Sequence, residues 1–447
     1  MIKHIFFSLL FFLTLNASLA SPAILGMRER AEVIDHWLQA RVSTVLPELM
    51  KRSQIDMWVL ISREYNEDPV IRTFLPSTWQ SARRRTILLI YNPGNDQPLE
   101  TLAVARYDVG DIFKKAWDKE LHGEQWKRLA DLIEERDPKR IGINYSETFA
   151  LADGITKTEY DLFHQALPNY LHERVVSAEE LAIGWLETRS SDEMHVYQQI
   201  CRIAHEILAE GLSDKVIQPG VTSTNDVAWW YRDQIRQLGL TAWFHPSVSI
   251  QRSMKLAVDA KTSIESRHDD NVIIPGDLLH VDFGITYLRL NTDTQQHAYV
   301  LKSGETDVPK KIKEAMRNGN RLQDILTENF VAGRTGNEIL KQSLSQAEDE
   351  GIIASIYTHP IGYHGHAAGP TIGLWDQQGG VPGAGDYILY PNTAYSIELY
   401  AETAVEDWRG SVRIKLEEDA FFDGATVSYI DGRQKNIFLI PRKPPVQ

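Results

Sequence analysis

Three strand-like segments of this chain each carry a carboxylate inside an apolar run, and no other feature constrains the fold as much. In Leu278-Leu279-His280-Val281-Asp282-Phe283-Gly284, fed by the turn Pro275-Gly276-Asp277, side chains alternate, so His280, Asp282 and Gly284 share one face. In residues 394–399, Glu398 stands between Ile397 and Leu399. Further on, Val412, Ile414 and Leu416 form an apolar face, and Arg413, Lys415, Glu417 and Asp419 form the polar one, with Glu418 falling on the apolar side. An ionised carboxylate in an apolar strand is costly unless something neutralises it. Asp293 recurs eleven residues after Asp282, a distance suited to a neighbouring antiparallel strand. Singly, each acid also reads as a turn or surface residue. Together they require shared counter-charge.

Nitrogen donors follow the same half of the chain. His359, His364 and His366 fall within eight residues, at the head of a loop with eight glycines between 362 and 385. A compact zinc site from the three alone would be unusual without a carboxylate or thiolate. One of them as a ligand and another beside a substrate fits better. A loop of that length often carries function.

The order Asp282, Asp293, His359, Glu398, Glu417 resembles the pita-bread metallopeptidases: methionine aminopeptidase, prolidase and the Xaa-Pro aminopeptidases, most of all the last two. Asp282-Phe283-Gly284 and Asp293 match the Asp-x-Gly and following Asp, Ile397-Glu398 the Ile-Glu motif, and Lys415-Leu416-Glu417-Glu418-Asp419 the Arg-Ile-Glu-Glu-Asp motif. The likeness spans roughly residues 186–440, and residues 24–185 resemble the N-terminal domain of creatinase, prolidase and aminopeptidase P. It implies that Asp293 and Glu417 bridge two divalent ions, that Asp282 binds one, and that His359 and Glu398 bind the other. Glu398 would also take a proton from the attacking water, and His366 would steady the scissile carbonyl. Two such ions lie about 3.5–4 Å apart and share one oxygen, which they help to deprotonate near neutral pH. The oxygen-rich set favours Mn²⁺, with Co²⁺ or Zn²⁺ also held.

Departures from the family pattern fall on substrate contacts. Glu265 and Ser355 stand where prolyl-specific relatives keep histidines, and Lys415 replaces an arginine. Leu399-Tyr400 replaces Pro-Gly after the Ile-Glu motif. His268, His364 and Lys415 are therefore the candidate substrate-binding residues.

The fold class expected is α+β, a C-terminal pita-bread domain (186–447) preceded by an α/β creatinase-type domain (21–185). Strand-like runs at 57–61, 87–91, 102–105 and 140–144 set the N-terminal half, behind a helix at 28–46 with Pro47 just beyond. A helix opening at Ser191-Asp192, with the aspartate as cap, starts the second half. Residues 1–20 read as a signal peptide: Lys3, an apolar run over 5–15 and Ser18-Leu19-Ala20 at the cleavage site. The run is shorter than the roughly 20 apolar residues of a spanning helix. A periplasmic or secreted protein is the consequence, with no membrane anchor after cleavage. Cys201 is the single cysteine, in an apolar helical stretch, and reads as core filler. A net charge of −14 argues against nucleic acid as a partner. Arg83-Arg84-Arg85 reads as a solvated strand entry. The expected activity is hydrolysis of a peptide substrate by a homodimeric Xaa-Pro aminopeptidase or dipeptidase. The alternatives are an amidohydrolase of the same fold acting on a small non-peptide amide, and a non-catalytic binding protein that kept the fold.

Overall fold

Met57–Arg63 shows how the N-terminal half is layered. Met57, Val59 and Ile61 point to one face and meet Leu129, Leu132, Ile133 and Phe163. Trp58 and Leu60 point to the other and meet Leu38, Leu49, Phe74 and Trp185. Both faces are apolar, so helices cover both. In this computed structural model, which describes residues 24–95, 97–254, 256, 271–408 and 410–442, the strand is central to a six-stranded mixed sheet. Its order is Lys114–Lys115, Glu100–Ala103, Arg85–Tyr91, Met57–Arg63, Ile141–Ile143, Val175–Ser177.

The first helix runs Met27–Thr44, and Pro47 does not lie beyond the helical region as expected: it sits in the first turn of a second helix, Leu46–Ser53, where its missing N–H costs nothing. The second half opens on the helix Ser191–Gly211, but Asp192 is not its cap. Ser190 is: its hydroxyl accepts the Glu193 N–H at 3.2 Å, and the Glu193 carboxylate accepts the Ser190 N–H at 2.7 Å. The Ser-x-x-Glu spacing makes this reciprocal pair and leaves Asp192 in the first turn. Of the three arginines, Arg83 and Arg84 are exposed, Arg83 over Trp79 at 4.2 Å and Arg84 3.6 Å from Glu64, whereas Arg85 is half-buried and pairs with Glu159 at 2.7 Å.

Among the described residues, three larger sheets and a two-stranded ribbon, Thr286–Tyr287 with Leu290–Asn291, build the C-terminal half. One has the order Phe438–Ile440, Thr294–Val300, Leu278–Phe283, Ser247–Gln251, and the helices Ser191–Gly211 and Thr224–Gln237 pack on Leu279, Val281 and Phe283. The second, Ile353–Ile356, Leu399–Val405, Gly410–Leu416, packs on the helices Lys310–Glu328 and Gly336–Asp349. The third joins His359–Pro360, Thr393–Ser396, Asp419–Phe422 and Val427–Tyr429. Among the described residues no helix is long and apolar enough to cross a membrane.

Candidate metal centre

The antiparallel ladder between Leu278–Phe283 and Thr294–Val300 sets Gln295 opposite Asp282 and brings Asp293 to the end of the neighbouring strand. The turn between them depends on Gly284. A Cβ there would come within 2.4 Å of the Thr292 carbonyl and 2.5 Å of the Trp243 indole nitrogen. Trp243 donates to that same carbonyl at 2.9 Å, which fixes the hairpin carrying both aspartates.

Two other segments close on this edge. Glu417 forms an isolated bridge with Gln295, the point where the second sheet meets the first. His359 opens the short strand beside Thr393–Ser396, and Glu398 follows it. The His359 Nε2 lies 3.5 Å from Glu417, 3.8 Å from Asp293 and 3.8 Å from Glu398. Three sets of ligand atoms converge within 4.8 Å of one another: Asp282, Asp293 and Glu417; His359, Glu398 and Glu417; Asp293, His359 and His366. Of the sequence candidates, Asp282, Asp293, His359, Glu398, Glu417 and His366 therefore come together.

These groups fit metal ions. Asp293 Oδ1 and His359 Nε2 are buried without a hydrogen-bond partner, two lone-pair donors left unsatisfied within this cluster. The other His359 nitrogen is held by the Pro360 carbonyl at 3.0 Å, so the proton sits on Nδ1 and Nε2 is free to ligate. Burial, followed by repulsion from Glu417, pushes the Asp282, Asp293 and Glu398 carboxyls well above the usual range. Divalent cations reverse that order, since they favour the ionised form.

The supporting residues were not among the sequence candidates. The Gln295 amide donates to Glu398 and, at 2.7 Å, to Glu417, while its oxygen lies 2.7 Å from His280 Nε2. Burial drives His280 well below the usual imidazole value, so it is neutral; its Nε2–H donates to Gln295, and Nδ1 accepts from Ser249 at 3.3 Å. Ser396 donates to Glu417 at 2.6 Å. Asp419 accepts the Asp293 N–H at 3.2 Å and also the Cys201 thiol at 3.4 Å, so Cys201 is more than filler. Glu418 is buried, as its place on the apolar side implies, but it is paired with His205 at 2.7 Å and accepts from Gln296 at 2.8 Å. A carboxylate on that side is stable only because these partners meet it.

His366 is exposed, its ring 4.7 Å from His359 and 5.3 Å from Trp243, edge to face with both. Partial desolvation at the edge of the site, followed by the neighbouring His359, lowers its pKa. Lys415 faces the acids, and its charge lowers the carboxyls of Asp282 and Glu398. His364 joins none of the ligand sets among the described residues. It lies by Arg72 and Arg189, which after burial help push it down to about 4. Ser355 is buried with its hydroxyl unpartnered. His268 and Glu265 lie outside the described residues.

Solved structures share this architecture over both halves. The X-Pro aminopeptidase from Thermotoga maritima MSB8 superposes with a TM-score of 0.60 at 17% identity, covering 88% of this chain and 99% of that one. The Xaa-Pro dipeptidase from Bacillus anthracis gives 0.56 at 17% identity, covering 93% and 100%. The prolidase from Pyrococcus horikoshii OT3 gives 0.53 at 14% identity, covering 91% and 99%. At these identities the likeness establishes the fold: an α+β pita-bread half behind an N-terminal domain. Curated protein sequences give no match. Residues 195–419, which hold all five ligand candidates and His366, match Metallopeptidase family M24. The chain belongs to metallopeptidase family M24, enzymes that work with divalent metal ions.

Proposed function

We propose that this peptidase uses two divalent ions to cleave peptides at Xaa-Pro bonds, as an aminopeptidase or dipeptidase. One observation carries the reading: five ligand side chains from separate segments converge, and buried donor atoms of two of them, Asp293 and His359, have no partner within the protein. Asp293 and Glu417 would bridge the ions, Asp282 would serve one, and His359 and Glu398 the other. When bound, the ions supply a water nucleophile at neutral pH and polarise the scissile carbonyl. Glu398 accepts the proton of that water. His366 donates to the carbonyl oxygen as negative charge develops there. Trp243 buttresses His366, and Gln295 keeps Glu398 and Glu417 from turning away.

The oxygen-rich donor set supports Mn²⁺ as the working ion. Net charge supports a small peptide rather than nucleic acid as partner. Residues 1–20 would be removed on export to the periplasm or medium, leaving Ser21 as the first residue of a homodimeric enzyme. Intact mass of the protein from its native host and its mass in solution check both points. The activity itself is tested on Xaa-Pro dipeptides, longer Xaa-Pro peptides and matched Xaa-Ala controls, with Mn²⁺ supplied. Metal-dependent cleavage with higher kcat/KM for proline is expected. A chain that holds two ions and cleaves none of them would refute the assignment.

A further inference from the structure

His366 sits on a loop that is closed on itself. The Ala367 N–H donates to the Pro360 carbonyl at 3.0 Å, and within that ring the Gly362 N–H donates to the His364 carbonyl at 3.1 Å. One side of the loop is tied to the metal centre, since Asn291, two residues before Asp293, donates to the Gly362 carbonyl from its backbone at 2.9 Å and its amide at 3.0 Å. Tyr363 carries the other tie. Its hydroxyl donates to Glu193 at 2.9 Å, and its ring lies under the Arg189 guanidinium at 4.6 Å and the Arg41 guanidinium at 5.2 Å.

Glu193 is the hub. It is fully buried, accepts Arg41 at 2.8 Å and Arg189 at 3.3 Å, and caps its own helix through Ser190 at 2.7 Å. Arg41 comes from the first helix, Met27–Thr44, and also holds the carbonyls of Thr188 at 2.6 Å and Trp185 at 2.5 Å. Three parts of the chain, far apart in sequence, thus meet on one carboxylate: the N-terminal helix, the connection to the second half, and the histidine loop. The fit leaves no slack, because a Cβ on Gly362 would lie 3.0 Å from the Arg189 guanidinium carbon. Two buried arginines against one glutamate satisfy its charge without the tyrosine. The Tyr363 hydroxyl is therefore not needed to neutralise Glu193, and what it adds is direction.

We propose that Tyr363 is a positioning residue: through Glu193 it fixes the 360–367 loop so that His366 faces the reacting carbonyl, and the N-terminal helix thereby tunes a site it does not line. The inference rests on the role given to His366 above. A displacement of about 1 Å at a catalytic group can cost on the order of 100-fold.

The test is a double-mutant cycle on the Mn²⁺-loaded full chain, with kcat, KM, metal content and Tm measured for Tyr363→Phe, His366→Ala and the pair. Phe keeps the ring under both arginines and removes only the hydroxyl. Tyr363→Phe is expected to lower kcat about 10- to 100-fold with KM and two-metal content unchanged. In the His366→Ala background the same change should cost less than about twofold, since coupled residues are not additive. Arg41→Lys, which keeps the charge but loses the second arm of the guanidinium, should show the same coupling to a smaller degree. A merely structural role lowers Tm and costs the same in both backgrounds; that additive result, or an unchanged kcat in Tyr363→Phe, overturns the inference alone. Wild-type kcat in metallated His366→Ala overturns the role of His366 and this inference with it.

Discussion

Gln295 and Glu417 meet twice, once through the backbone and once through their side chains. The Gln295 N–H donates to the Glu417 carbonyl at 2.9 Å, the Glu417 N–H returns the bond at 3.3 Å, and the Gln295 amide then donates to the Glu417 carboxylate at 2.7 Å. The seam between two sheets and the floor of the candidate metal centre are thus the same pair of residues.

Replacing Gln295 with Leu should preserve the backbone seam and lose the amide. Glu398 would then lose its amide donor, Glu417 would keep only the Ser396 hydroxyl, and the His280 N–H would have no acceptor. Loss of such a support typically weakens metal binding about 10- to 100-fold. Competition with a chelator of known affinity measures it, and an unchanged affinity would make Gln295 a bystander.

Shared ligands make a different prediction for metal content. Asp293→Ala and Glu417→Ala should each empty both positions, whereas His359→Ala should weaken one more than the other. Elemental analysis of dialysed protein reads this directly. Two full equivalents in Asp293→Ala would show that it does not bridge.

His366 should matter for rate and not for metal. Removing one donor to a developing oxyanion costs about 10²–10³ in kcat. His366→Ala should lose activity on that scale with its ions in place, and His364→Ala, which lies among arginines outside the ligand sets, should lose less. Steady-state kinetics with metal content on both variants decides it; similar losses would place the two histidines in one role.

What the sequence made legible was what violates a local pattern. A carboxylate in an apolar strand is conspicuous because burying it is costly, so Asp282, Glu398 and Glu417 stand out, Asp293 follows from its eleven-residue spacing after Asp282, and His359 from the family order. Gln295 did not stand out, because an amide carries no charge to explain. Its only signal was position, two residues after Asp293 and so on the same face of a strand that is buried throughout. Glu193 and His205 were illegible for another reason: the former meets Arg41 and Tyr363, the latter Glu418 and Asp431, contacts made only when distant segments pack. The misplaced helix cap was a choice between neighbours, where Ser190 and Asp192 both suit a cap and only Ser190 has a glutamate three residues on.

One buried acid outside the site gives a pH test. Burial pushes Glu187 from 4.5 up to about 8, with Arg52 at 3.8 Å only partly offsetting it. A carboxyl raised by folding contributes stability that is complete below its unfolded value and lost as pH rises through about 8. Tm of the wild type should therefore drop between about pH 5 and pH 9 by more than Tm of Glu187→Gln, whose neutral amide does not titrate. Parallel pH profiles for the two proteins would show that Glu187 is ionised throughout.

The ligands are scattered from residue 282 to residue 417, on strands of different sheets and a loop. No short stretch of the chain holds one of the converging sets, so these sets form only when the segments that carry them have packed together. On the proposed two-ion reading, metal capture would follow the docking of these segments and would draw on whatever ions surround the folded protein. With donors that accept several divalent ions, the choice among them passes from the coordination chemistry to the place where folding ends. An enzyme refolded in a different ionic medium would carry that medium's metal as a record of where it matured.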